Sequence, residues 1–197
     1  MVKPTESEFV HHVRKEFAYL KEQWGLHEVK TKEPFNVVFQ NKNVFVSIRG
    51  VDFGAGTEVR IGQPPYVDRK SGWPLWLIID VRDPSRHPKS LWDWGGQLKQ
   101  ASDGSRDLRD LCQDFLSGNF SEKDLFDLTL EKWRQSQIDA WKEHDREIEH
   151  IEAVNKATEA FRRREFESVV NYLEKVIELL TPAELKKLEF ARKKLKS

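Results

Sequence analysis

The sequence predicts an α+β fold, with strands gathered in the first half and helices in the second. Three observations lead there. Residues 35–62 contain short runs rich in β-branched and aromatic side chains, and their connections are too short for a crossover helix, so an antiparallel sheet is expected. From residue 121 to 181 there is neither glycine nor proline. Strands and helices that segregate along the chain, rather than alternating, give α+β architecture.

The elements are read in order. Thr5 and Glu8 have capping-box spacing, and Val10, Val13, Phe17, Leu20 and Trp24 make one apolar stripe, so a first helix should start after Thr5 and stop at Gly25. FNVVFQ (35–40), NKN and VFVSIR (44–49) read as a hairpin. Four glycines follow between Gly50 and Gly62; they lead into TEVRIG (57–62), an alternating strand, and so are expected to serve a hairpin rather than a phosphate loop, which must lead into a helix. LWLIID (75–80) is continuously apolar, which suggests a fourth strand buried on both faces. Residues 81–105 read as an irregular loop.

Beyond residue 105 the chain reads as helical. Leu108, Leu111, Cys112, Phe115 and Leu116 mark a short helix closed by Gly118, and Ser121 suits the N-cap of the next. WKEHDREIEH (141–150) is almost wholly polar and suits a solvent-exposed helix or a hinge. Phe166, Val169, Val170, Leu173, Val176, Ile177 and Leu180 form a strong stripe, and TPAE (181–184) starts a last helix. The expected division is therefore an N-terminal helix with a small sheet of about four strands in residues 1–100, and a helical region ending in a helical hairpin in residues 101–197.

Composition narrows the function. The 197 residues carry 33 basic and 33 acidic side chains, a balance that argues against a general binder of nucleic acid or of anionic membranes. The single cysteine, Cys112, excludes an intrachain disulfide and fits a reducing, cytoplasmic setting. The first residues carry no apolar signal segment, and no run approaches a membrane span.

Candidate chemistry is sparse. Glu8 with His11, and Glu147 with His150, have the i, i+3 spacing of helical metal sites, but the other glutamates such sites need are not indicated. No metal or cofactor is expected. Cys112 lies on an apolar stripe and is expected in the core. FRRREF (161–166) reads as solvated helix surface with Glu159–Arg163 and Arg163–Glu167 pairs. Trp73, Trp76, Trp92 and Trp94 lie around turns, where they either cap the core or serve an interface. The candidate partner-binding residues are Trp92, Trp94, Arg86 and Asp93 of this loop, with Asp52 and Phe53 of the glycine-rich turn.

Taken together, NVFVSIRGVDFG, TEVRIG, LRDLCQDFLSGNF and the charged helical tail resemble small bacterial α+β proteins similar to the immunity proteins of polymorphic toxin systems. The resemblance spans about half of the chain and implies a cytosolic protein without cofactor that neutralises a cognate toxin by binding it. Two other functions stay open. Residues 160–194 resemble one helix-turn-helix unit of a tetratricopeptide-type repeat, through Ala160, Phe161, Tyr172 and Leu173, which would suit an adaptor. An enzyme would require Asp52, Asp80, Arg82 and His87 to converge in one pocket.

Overall fold

A computed structural model describes residues 4–51, 56–86 and 96–196. It is α+β, with a sheet of five antiparallel strands, an N-terminal helix and a helical C-terminal region. The strands β1 (His27–Val29), β2 (Asn36–Gln40), β3 (Phe45–Val51), β4 (Gly56–Gly62) and β5 (Trp73–Pro74) follow one another in the sheet as they do in the chain. Each connection is local, so nothing has to cross over the sheet.

The NKN turn works as its composition suggests. Asn41 Oδ1 accepts hydrogen bonds from the backbone N–H groups of Asn43 and Val44, at 2.8 and 3.0 Å. The glycine-rich stretch is a hairpin too: β3 and β4 pair from Phe45↔Gly62 to Val51↔Gly56. The outermost strand, β5, exists because Arg60 holds the segment before it. Its guanidinium donates to the carbonyls of Lys70, Ser71 and Gly72, which brings Trp73 beside Ile61.

One expected strand is a helix. Leu75–Arg82 forms α3, whose buried residues are Leu75, Leu77, Ile78 and Ile79, while Trp76 is less buried and Asp80 is exposed. A continuous apolar run of six is compatible with either structure, and only its packing against β4 and the helix that follows decides it.

The N-terminal helix α1 (Glu6–Glu16) begins with the expected capping box, and the chain breaks at Phe17 before α2 (Ala18–Glu22). Helix α4 (Gln97–Leu111) starts inside the segment expected to be loop. Its Asp103–Gly104–Ser105 sequence has poor helix propensity, but each small residue has a packing role. A Cβ on Gly104 would come within 2.8 Å of Val59 Cγ2, so glycine lets α4 lie close on β4. Ser105 donates to the Glu16 carbonyl of α1 at 2.7 Å, and His12 Nε2 lies 2.9 Å from Ser102 Oγ. Helix α5 (Gln113–Leu116) follows, closed by Gly118 in a left-handed conformation with Asn119 N–H bonded to the Asp114 carbonyl.

The stretch 141–150 is a continuous helix rather than a hinge: α6 (Lys123–Arg162) is a single element of 40 residues. It ends in a Schellman motif with Arg164 in the left-handed position at φ 63°; Glu165 N–H bonds to the Ala160 carbonyl and Arg164 N–H to that of Phe161. The helix therefore stops before Arg163 and Glu167 can share a helical face, and the expected ladder of pairs through FRRREF does not form. Only glycine takes this backbone without strain. Arg164→Gly should raise stability by about 0.5–1 kcal/mol in urea unfolding, and a loss of stability would contradict the motif.

Helices α7 (Phe166–Glu174) and α8 (Pro182–Leu195) form the expected hairpin. The Thr181–Glu184 capping box opens α8, and Glu184 also meets His150 Nε2 of α6 at 3.1 Å. Compact units span Met1–Glu131 and Lys132–Ser197. In the first, the buried core runs from Phe9 of α1 through β2–β4 to Phe115 of α5 and Phe126 of α6, so α4 and α5 belong with the sheet. In the second, Ala157 and Ala160 of α6 pack with Val169, Leu173, Leu188 and Ala191.

Candidate interaction surface

Among the described residues, several large apolar side chains are exposed, which burial of a core does not explain. They concentrate on α6. Residues 131–149 are all exposed, although they include Trp133, Ile138, Trp141 and Ile148. Trp141 is 65 % exposed, Ile148 42 % and Ile151 58 %. Stepping three or four residues from buried Leu130 passes Arg134, Gln137, Trp141, His144, Ile148 and Ile151, which lie on one face. Within the second unit, Trp141, His144, Ile148 and Ile151 of this row are exposed. It is not the face that α6 buries in the second unit, where Ala153, Ala157 and Ala160 turn inward; at 100° per residue those alanines point well away from Ile148 and Ile151.

The row is flanked by charge of one sign. Between residues 139 and 152 there are six carboxylates and two bases. The bases are tied to neighbours, Lys142 to Asp139 and Arg146 to Glu143, at 3.9 Å each, on the face opposite the row. Asp145, Glu147 and Glu152 border it. Trp141 also meets the His144 ring edge-on, with centroids 6.4 Å apart.

The residues proposed from sequence fare differently. Asp52, Phe53, His87, Trp92, Asp93 and Trp94 lie outside the described residues. Arg86 is committed to structure: its guanidinium donates to Asp83, Asp107 and Asp110, at 3.1, 3.1 and 2.8 Å, and these hydrogen bonds raise its pKa further above the ordinary arginine range. It ties the turn at Pro84–Arg86 to α4. Trp73 is a core residue, with its indole N–H donated to Asp127 at 2.8 Å, and Trp76 packs against the same core.

Arg82 is likewise engaged. It makes paired hydrogen bonds to the Asp114 carboxylate at 2.8 and 2.6 Å, contacts Glu122 and the Leu111 carbonyl, and stacks 4.6 Å over the Phe115 ring. Asp80 stands two residues away on α3, about 200° around the helix, so the two do not face a common point. Asp114 shows the electrostatics of this cluster. Burial works to raise its pKa, but the hydrogen bonds from Arg82 and the Phe115 N–H outweigh that and hold its carboxyl below the usual range.

The two glutamate–histidine spacings are used locally. Glu8 accepts from the Thr5 N–H and hydroxyl at the helix cap, and His150 pairs with Glu184 rather than Glu147. Among the described residues no group of three or more His, Cys, Asp and Glu side chains is placed to hold a metal ion. Cys112 is fully buried, and that burial pushes its thiol up to about 12. In native buffer near pH 8 it should resist thiol reagents and react only after unfolding; stoichiometric labelling of the folded protein would contradict its placement.

The α6 row was legible only in part. The 3–4 spacing of Trp141, His144, Ile148 and Ile151 is present in the sequence, but the high average polarity of 141–150 masks it, and whether another element covers it is not a local property. Among the described residues no helix is long and apolar enough to cross a membrane. Neither known protein families, nor curated proteins, nor solved structures provide a match to this chain.

Proposed function

We propose that this is a non-enzymatic protein-binding protein, best described as an immunity-type protein that neutralises a cognate bacterial toxin in the cytoplasm by direct binding. The observation that carries the binding reading is the exposed row Trp141, Ile148, Ile151 on α6. Large uncovered apolar side chains beside charged ones mark interaction surfaces, and tryptophan is enriched among residues that dominate binding energy. The toxin-directed part rests on the resemblance of the strands and of the Leu108–Gly118 helical segment, and on the absence of a recognisable catalytic motif in the sequence.

The test is co-expression with the product of the adjacent gene. The expected result is a toxic neighbour whose effect is relieved by this protein and which binds it in vitro. A neighbour that is harmless, or is neither bound nor neutralised, removes the immunity assignment.

An adaptor function is the second reading. It is favoured by the α7–α8 hairpin, where Ile177, Leu179 and Leu185 are exposed. Under it, Leu179→Ser and Leu185→Ser weaken partner capture while Trp141→Ser does not; the immunity-type reading through α6 expects the opposite.

A further inference from the structure

We infer that the α6 row is a docking seam for a basic amphipathic helix of another protein, with Trp141, His144, Ile148 and Ile151 as its floor and Asp145, Glu147 and Glu152 as its rim. This rests on the protein-binding reading above and names the chemistry of the partner.

The geometry of the row selects a helix. Positions 141, 144, 148 and 151 have alternating steps of three and four, the a and d spacing by which one helix receives the side chains of another. A strand or an irregular loop would not match that repeat. All four residues are exposed.

The rim selects the charge. With 141 and 148 at a positions, Asp145 and Glu152 take e positions and Glu147 takes a g position, the places that meet charges on the facing helix. All three are acidic. Two copies of this helix paired in parallel would set Glu147 against Glu152, and antiparallel pairing would also bring acid to acid. Lysine or arginine at the same places of a partner would be attracted, so the seam disfavours self-association and favours a basic partner. Lys142 and Arg146 pair with Asp139 and Glu143 behind the rim, while Glu152 is tied to Lys156 one turn on at 3.0 Å, so Asp145 and Glu147 chiefly set the sign of the rim.

The experiment uses the full chain and two labelled synthetic helices of about four heptads, each with leucine at a and d. One carries lysine at e and g, the other glutamate. A third peptide has the lysine peptide's composition in scrambled order. Fluorescence anisotropy should show binding of the lysine helix, weakening as salt rises from roughly 50 to 200 mM, and at least tenfold weaker binding of the other two. Trp141→Ser should weaken the lysine helix about tenfold or more with unchanged circular dichroism. Replacing the rim together (Asp145→Lys, Glu147→Lys, Glu152→Lys) should reverse the preference toward the glutamate helix.

Equal binding of the lysine and scrambled peptides, no change with Trp141→Ser, or no reversal by the rim variant overturns the inference. So does sedimentation showing a dimer that Trp141→Ser abolishes, because the seam is then occupied by a second copy. If the neighbouring gene product binds but is insensitive to the rim variant, this inference fails while the protein-binding reading stands. Failure of that product to bind, with the lysine helix still captured, removes the immunity assignment and leaves the seam standing.

Discussion

Phe115→Ala is expected to cost about 4 kcal/mol of folding stability, more than any other single change considered. Phe115 is fully buried in α5, at the centre of an aromatic group. Trp73, Phe120 and Phe126 lie around it with ring centroids 5.7, 5.2 and 5.4 Å away, and the Arg82 guanidinium covers its face. Its removal subtracts the ring's transfer energy and leaves a cavity between elements that cannot close without moving β5, α5 and α6 together. Since a domain's net stability is about 5–15 kcal/mol, the loss should appear as a large fall in the urea midpoint. A change below about 1 kcal/mol would mean that the group repacks around the gap.

Arg82→Met should cost about 2–3 kcal/mol, the lower side of the range for breaking a buried pair, because Asp114 and Glu122 retain access to water. The substitution keeps the apolar stem but leaves two carboxylates without their shared cation and Phe115 without its cation–π contact. The cost should depend on pH. Asp114 has a pKa depressed below its unfolded value, so its favourable contribution is present above about pH 4 and is lost as the carboxyl protonates below that. The stability difference between Arg82→Met and the unaltered protein should therefore be full at pH 7 and shrink as pH falls from about 5 toward 3. A difference independent of pH would show that Arg82 acts through packing alone.

What the sequence reveals about this protein is mostly what is decided locally. Thr5 with Glu8 and Thr181 with Glu184 form their capping boxes because both partners lie within one turn. Asn41 closes its hairpin by accepting from the backbone N–H groups two and three residues on, those of Asn43 and Val44. The failures are tertiary. Leu75–Arg82 is helical because of what surrounds it, and its residues favour neither form decisively. Gln97 opens a helix whose Asp103–Gly104–Ser105 segment makes sense only when Val59 and Glu16 are seen beside it. Strand β5 needs Arg60, a side chain more than ten residues upstream that reads as an outward charge and is in fact buried. The candidate surface divides in the same manner: apolar spacing along α6 can be counted in the sequence, whereas the exposure of those side chains cannot.

The second unit's core bears on how the protein behaves when warmed. Ala157, Ala160 and Ala191 supply half of the cluster that also holds Val169, Leu173 and Leu188. Alanines let helices approach closely but remove little apolar surface from water, about a methyl each. The first unit, by contrast, buries Phe9, Phe17, Phe39, Phe115 and Phe126. Amide hydrogen exchange should accordingly resolve two levels of protection, with α7 and α8 opening through local excursions well below the energy that releases β2–β4. A molecule built this way melts in instalments: its helical end can breathe, and recover, while the sheet keeps its register.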